Sequence, residues 1–194
     1  MRFVYGGDDA GLHEAVAFAN ELNFMDGFWQ TVADYPDFTY TDLSSSEIVR
    51  RMRAVTRDVA VQHYFRDNSA IAATRSGSPF TIFYNTKFIG RGPALKSNTL
   101  VHEFVHNVDW FGDGDRDLEY THPRRHTSAR PRSAPYQIGR IAQDWWDMAH
   151  QHEGRQLDDE DKLEGEDKLE DDAFDCDLDD DLTDDEINWV TPQE

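Results

Sequence analysis

The sequence contains a single cysteine, Cys176, and no long apolar segment. One thiol cannot form a disulfide within the chain, and a chain without disulfides is typical of a reducing compartment. Residues 1–9 lack the apolar run of a signal peptide, and no stretch approaches the length of a transmembrane helix. We therefore expect a soluble, cytoplasmic protein with no membrane partner, while export by a signal-independent route stays open.

Basic residues are also scarce, since 19 Lys and Arg stand against 39 Asp and Glu. The imbalance is concentrated in residues 154–194, which hold 19 acidic and 3 basic side chains, a net charge of −16. Residues 1–153 carry a net charge of only −4. A segment with so much charge of one sign and few apolar residues cannot form a core of its own. We predict one folded domain over residues 1–153 and a disordered acidic tail over residues 154–194, which can bind a basic protein partner; we expect no binding of nucleic acid.

The most informative motif is HExxH, present as His102-Glu103-Phe104-Val105-His106. On a helix, residues four apart lie on one face, so both imidazoles can share a tetrahedral Zn²⁺. Glu103 projects beside them and can accept a proton from a water that the metal activates. The motif therefore predicts a zinc site with its own general base.

The residues around the motif have the pattern of a helix. Ser97 is the predicted N-cap, Gly92-Pro93 precedes it as a breaker, and Gly112 gives a stop signal after Phe111. An apolar stripe recurs at helical spacing, and its members are Leu100, Val101, Phe104, Val105, Val108 and Phe111. His102, Glu103, His106 and Asp109 fall on the other side, and we interpret Asp109 as a support for the ligands or a loop cap.

The segment that follows the helix carries a family resemblance. Gly114-Asp115-Arg116-Asp117-Leu118-Glu119-Tyr120 resembles the Gly-Thr-x-Asp-x-x-Tyr motif of the aspzincins, the deuterolysin-like zinc endopeptidases. The resemblance implies that Asp117 is the third zinc ligand and that Tyr120 donates a hydrogen bond in the transition state. The chain departs from the family pattern, with Asp115 in place of Thr, Thr121 in place of Gly and none of the disulfide cysteines of the secreted members.

Alternatives remain for two of these assignments. A carboxylate or a third histidine would each suit zinc as the remaining ligand. The nearby residues that can fill this position are Asp113, Asp115, Glu119 and His122. For the catalytic phenol, Tyr136 is the second candidate after Tyr120.

The remaining chain predicts an α+β fold. Asp8 or Asp9 caps a first helix that runs to about Phe24, and Ser44 with Glu47 forms a capping box for a second helix. Residues 58–65 alternate as a strand, and residues 70–74 and 80–89 form a β-hairpin. Pro135 opens a last helix. We expect a zincin-like architecture, a small twisted and mostly antiparallel sheet with the HExxH helix and a C-terminal helical part, in which residues 81–88 form the edge strand that pairs with substrate.

These features predict a zinc metallopeptidase. His102, His106 and Asp117 would hold Zn²⁺, Glu103 would act as general base, and Tyr120 or Tyr136 would stabilise the oxyanion. The expected substrate is a protein or a peptide. Two other functions stay open: a zincin-fold protein that has lost activity, and a non-catalytic protein that binds basic partners through its acidic tail.

Overall fold

The computed structural model describes residues 2–75, 77–112, 119–122 and 127–151. The strands are β1 (Arg2–Tyr5), β2 (Asp58–Tyr64), β3 (Ala72–Thr74) and β4 (Thr81–Asn85). The helices are α1 (Ala10–Leu22), α2 (Asp26–Ala33), α3 (Ser45–Ala54), α4 (Pro93–Phe111) and α5 (Ala134–His150). Short 3-10 helices span Thr86–Phe88 and Arg130–Arg132. The α+β class expected from the sequence is confirmed, whereas the predicted acidic tail lies outside the described residues.

The four strands form one open sheet in the order β1-β2-β4-β3. β1 pairs with β2 and β2 pairs with β4 in parallel, and only β3 with β4 is antiparallel. The prediction of a mostly antiparallel sheet is therefore wrong. Three helices, α1, α2 and α3, connect β1 to β2, and such a long connection can return the chain to the same end of the sheet.

The predicted hairpin exists as β3 and β4, in a register that pairs Thr74 with Ile82. The prediction that residues 81–88 form the edge strand is wrong in two respects. β4 ends at Asn85 and lies inside the sheet, between β2 and β3. In the described part of the chain, the edge next to α4 belongs to β3, whose three residues are all buried.

Local capping explains where the helices begin. The Asp9 side chain accepts a hydrogen bond from Leu12 N at 2.7 Å, and the Ser44 side chain accepts one from Glu47 N, as the sequence predicts. Each such cap stabilises a helix by about 1 kcal/mol. Ser97, in contrast, is not an N-cap. α4 begins one turn earlier, with Gly92 as the cap and Pro93 at the first helical position, where its missing N–H costs nothing.

α4 is the central element of the fold. Every residue from Lys96 to Trp110 is buried, including the polar side of the helix that carries the HExxH motif. α1 packs on α4 and on β1, and the rings of Phe3 and Phe104 meet edge to face at 5.7 Å. The opposite face of the sheet has a separate small cluster formed by Tyr64, Ala73 and Phe83. The motif therefore lies in the interior and not on a solvated surface.

α5 packs against α4 more extensively than any other element does. Gly139 makes this approach possible, because a Cβ there would lie 2.9 Å from the carbonyl oxygen of Asn98 and 3.2 Å from His102 Cβ. The apolar residues Ile138, Ile141 and Ala142 of α5 are buried, while Met148 is half exposed. None of the described helices is both long and apolar enough to cross a membrane.

Candidate metal centre

Three histidines converge at the middle of α4. His106 Nε2 lies 3.1 Å from His102 Nε2, and His122 Nε2 lies 3.5 Å from the same atom. The candidate ligand atoms of all three lie within 4.8 Å of one another, and each residue is at most 1% exposed. Nitrogens that share a tetrahedral Zn²⁺ at its usual bond lengths are about 3.3 Å apart. This cluster can hold a metal ion.

The surroundings favour the neutral form of these imidazoles. Burial lowers the pKa of His102 well below its ordinary value of 6.5, and electrostatic interactions with His122 and Arg130 act in the same direction. Burial likewise lowers the pKa of His106, with further contributions from His102, His122 and Arg130. A neutral imidazole is the form that binds a metal, so no proton has to be displaced near neutral pH.

Asp109 organises the segment that delivers the third histidine. Its carboxylate accepts hydrogen bonds from the backbone N–H groups of Glu119 at 2.9 Å, Tyr120 at 3.1 Å and Thr121 at 2.8 Å. These bonds oppose the effect of burial, which raises the pKa of Asp109 to about 6. The interpretation of Asp109 as a loop cap is confirmed, and the cap holds the residue that directly precedes His122.

The same segment orients a ligand on the helix. The hydroxyl of Thr121 contacts His106 Nδ1, which leaves Nε2 of that ring directed toward the other two histidines. A histidine that binds a metal through one nitrogen commonly donates from the other to an oxygen, which fixes the tautomer and the ring plane. Asp109 and Thr121 together thus support two of the three imidazoles.

Glu103 is buried beside the histidines and is 1% exposed. Its Oε2 accepts a hydrogen bond of 2.9 Å from the hydroxyl of Thr74, the last residue of β3. Asn107, one turn further along α4, donates from Nδ2 to the Thr74 hydroxyl and to the Glu103 carbonyl oxygen, each at 3.1 Å. The carboxylate is therefore held from the sheet, by a hydroxyl that a side chain of α4 contacts in turn.

The two candidate tyrosines occupy different places. The ring of Tyr136, near the start of α5, lies 4.6 Å from that of His102 and 5.0 Å from that of His122. It is partly exposed, and the guanidinium of the buried Arg130 lies 5.5 Å from its ring centre. Tyr120 is completely buried in the hydrophobic core, with Arg51 of α3 at 6.0 Å from its ring. Tyr136 is thus a phenol whose ring contacts two of the histidines.

The sequence-based candidates for the third ligand now divide into three groups. Asp117, the residue implied by the family resemblance, lies outside the described residues, as do Asp113 and Asp115. Glu119 is described, and its carboxylate forms an ion pair with Arg51 of α3. His122 joins His102 and His106 in the cluster. In the sequence, the signal for His122 is its position shortly after Gly112 and Gly114, so it is one of several alternatives for the third ligand.

Comparisons with protein-family models, with curated proteins and with solved structures find no match to this chain. The function of the centre is therefore inferred from its own residues: three buried imidazoles, a buried carboxylate and a partly exposed tyrosine.

Proposed function

We propose that this protein is a zinc-dependent peptide hydrolase in which His102, His106 and His122 hold the metal. The observation that carries the proposal is the convergence of three buried imidazoles, with the buried Glu103 next to His102 in the sequence of α4. Three protein ligands leave a fourth position for water or substrate, as in catalytic zinc sites. In the HExxH motif, the glutamate between the two histidines is the group that can accept a proton from a water that the metal activates.

The donor set suits zinc. Imidazole nitrogen is a preferred ligand of Zn²⁺, and the cluster lacks the carboxylate and carbonyl oxygens that Mg²⁺ and Ca²⁺ require. A zinc ion held there would lower the pKa of water toward neutrality and polarise the carbonyl group of a substrate. The family resemblance assigned the third position to Asp117, and the proposal replaces it with His122 because that imidazole reaches the other two.

The protein's own groups have distinct tasks in this proposal. Glu103 accepts the proton of the attacking water and passes it to the departing amine, while the hydrogen bond from Thr74 keeps the carboxylate in place. Tyr136 is the phenol that can donate to the developing oxyanion, since its ring contacts two of the histidines and is partly exposed. Tyr120 supports the fold of the loop from within the core.

A test that separates catalysis from metal binding uses Glu103→Gln. The variant should retain about one zinc per chain by elemental analysis and lose about 10²- to 10⁴-fold in turnover of a denatured protein mixture. Glu14→Gln, at an exposed position of α1, is the matched control and should behave as the wild type. Undiminished activity of the zinc-loaded Glu103→Gln protein would refute the mechanism.

A second candidate function is metal binding without catalysis. The burial of all three histidines favours it, because structural zinc sites are closed to solvent. A wild-type protein that holds zinc but hydrolyses no peptide bond in the same assay would support this alternative. Action through the acidic tail stays a sequence-based prediction.

A further inference from the structure

A chain of three polar side chains connects the edge of the sheet to Glu103. Asn107 Nδ2 lies 3.1 Å from Thr74 Oγ1, and Thr74 Oγ1 lies 2.9 Å from Glu103 Oε2. Thr74, Asn107 and Glu103 are at most 1% exposed. In an interior of low polarity, such hydrogen bonds are stronger than in water and strongly constrain geometry.

The direction of each hydrogen bond follows from the chemistry of the groups. A backbone carbonyl can only accept, so the Asn107 atom that faces the Glu103 carbonyl oxygen must be the amide nitrogen. The same nitrogen reaches Thr74 Oγ1, which must then accept from it. The Thr74 hydroxyl then has two acceptors left, both on Glu103: the carboxylate Oε2 at 2.9 Å and the main-chain carbonyl oxygen at 3.4 Å. The shorter hydrogen bond is the one to the carboxylate.

We propose that Thr74 is a positioning residue for the general base: its hydroxyl, oriented by Asn107, holds the Glu103 carboxylate in one position. The role of Glu103 as a base rests on the proposed function. The hydrogen bond from Thr74 to Glu103 does not depend on it. The proposal gives a reason for a hydroxyl at a position with no exposure, at the end of a strand whose other two residues are alanine. Without such a partner a buried hydroxyl would be destabilising.

Thr74 also links two elements of the fold, the strand β3 and the helix α4. Thr74 ends β3, and its backbone pairs with Ile82 of β4, so the sheet determines where the hydroxyl lies. Glu103 and Asn107 are one turn apart on α4. A carboxylate that is held from outside its own helix has fewer accessible rotamers, which lowers the cost of reaching the reactive geometry.

The test compares Thr74→Val, which keeps the shape and removes the donor, with Thr74→Ser, which keeps the donor. Thr99→Val is the matched control. It also removes a hydroxyl of a buried threonine, but Thr99 lies on α4 and its hydroxyl donates to the Leu95 carbonyl oxygen. We expect Thr74→Val to lower kcat about tenfold to a hundredfold with KM and zinc content unchanged, and Thr74→Ser to restore most of the activity. Thr99→Val should retain the wild-type kcat.

A spectroscopic measurement tests the same inference without activity. The ¹³C resonance of the Glu103 carboxyl carbon is assigned as the one missing in Glu103→Gln, in metal-free and zinc-loaded protein. It should shift in Thr74→Val, return in Thr74→Ser and stay in place in Thr99→Val. If Thr74→Val does not fold, Thr74→Ala replaces it, because alanine removes the donor without requiring a branched side chain to fit. The same shift of the Glu103 resonance is expected in that variant.

The outcomes separate this inference from the proposed function. If Glu103→Gln is inactive while Thr74→Val keeps full kcat and an unshifted resonance, Thr74 does not position the carboxylate although the hydrolase stands. If Glu103→Gln keeps full activity, the hydrolase mechanism fails, and the resonance still decides whether Thr74 holds Glu103.

Discussion

The Asp109 carboxylate accepts a hydrogen bond of 2.8 Å from the backbone N–H of Thr121, the residue directly before His122. Asp109 lies one turn beyond His106 on the same helix. A single turn of α4 therefore carries one imidazole of the candidate centre and the carboxylate that holds the segment of His122. The Thr121 hydroxyl, in contact with His106 Nδ1, closes this connection. The geometry of the centre is thus determined by α4 and by one short segment attached to its end.

The Asp109 anchor leads to a first prediction. Asp109→Asn keeps the size of the side chain but has one acceptor oxygen for three N–H donors, so the segment should lose its fixed position. We expect zinc affinity to fall about 10- to 100-fold, the range typical of residues that support metal ligands. Competition with a chelator measures this. Asp147→Asn, on the exposed side of α5, should leave the affinity unchanged; equal affinities for both variants would contradict the role of Asp109.

The identity of the third ligand can be tested with two substitutions. His122→Ala should remove bound zinc, because two histidines alone hold the metal weakly. Asp117→Ala should retain about one zinc per chain. Elemental analysis after gel filtration distinguishes them, and the opposite result would return the third position to Asp117, as the aspzincin resemblance implied.

The two tyrosines should differ in what their hydroxyl groups do. Tyr136→Phe should lower kcat, by up to about 10²-fold if the phenol donates to the oxyanion, and leave the thermal unfolding midpoint nearly unchanged. Tyr120→Phe should leave kcat unchanged, since its ring lies in the core beside Arg51. Turnover and thermal unfolding are measured on both variants. A loss of activity in Tyr120→Phe alone would contradict the assignment of Tyr136 as the oxyanion donor.

The buried histidines predict a dependence of stability on pH. The pKa values of His102 and His106 in the folded protein are well below 6.5, the ordinary value that applies in the unfolded chain. Below pH 6.5 the unfolded chain therefore binds more protons than the folded one, and the free energy of unfolding falls as pH falls. Denaturant unfolding of the metal-free protein between pH 7.5 and pH 5 should show this decrease. Zinc-loaded protein, measured separately, should release its metal over the lower part of the same range. A constant free energy of unfolding there would show that the histidines are not buried in the neutral form.

The sequence predicted the local elements best where a side chain acts on its own backbone. Asp9 and Ser44 cap the helices that follow them, and Gly112 ends the helix that carries the motif. The start of that helix was placed one turn too late, because Ser97 has the residue type of a cap but Pro93 has the stronger backbone preference. The strand β1 and the helix α2 were not predicted, since each is short and has a weak periodic signal.

The sequence was less informative wherever distant segments meet. The mixed strand order depends on how three helices return the chain to the sheet, which no local pattern encodes. The pairing of Thr74 with Glu103 joins a strand to a helix, and neither residue reveals the other in the sequence. The motif identified His102 and His106 because their spacing is helical, whereas His122 is brought to them only by the turn that Asp109 caps.

Gly139 determines how closely α5, which carries Tyr136, approaches His102 on α4. A single added methyl group there would meet Asn98 and His102, so α5 would have to move away from α4 and carry Tyr136 with it. The distance between the Tyr136 ring and the imidazoles therefore depends on the absence of a side chain at Gly139. A substitution at this position would therefore change the distance of Tyr136 from the three histidines while every histidine and Glu103 stayed in the sequence.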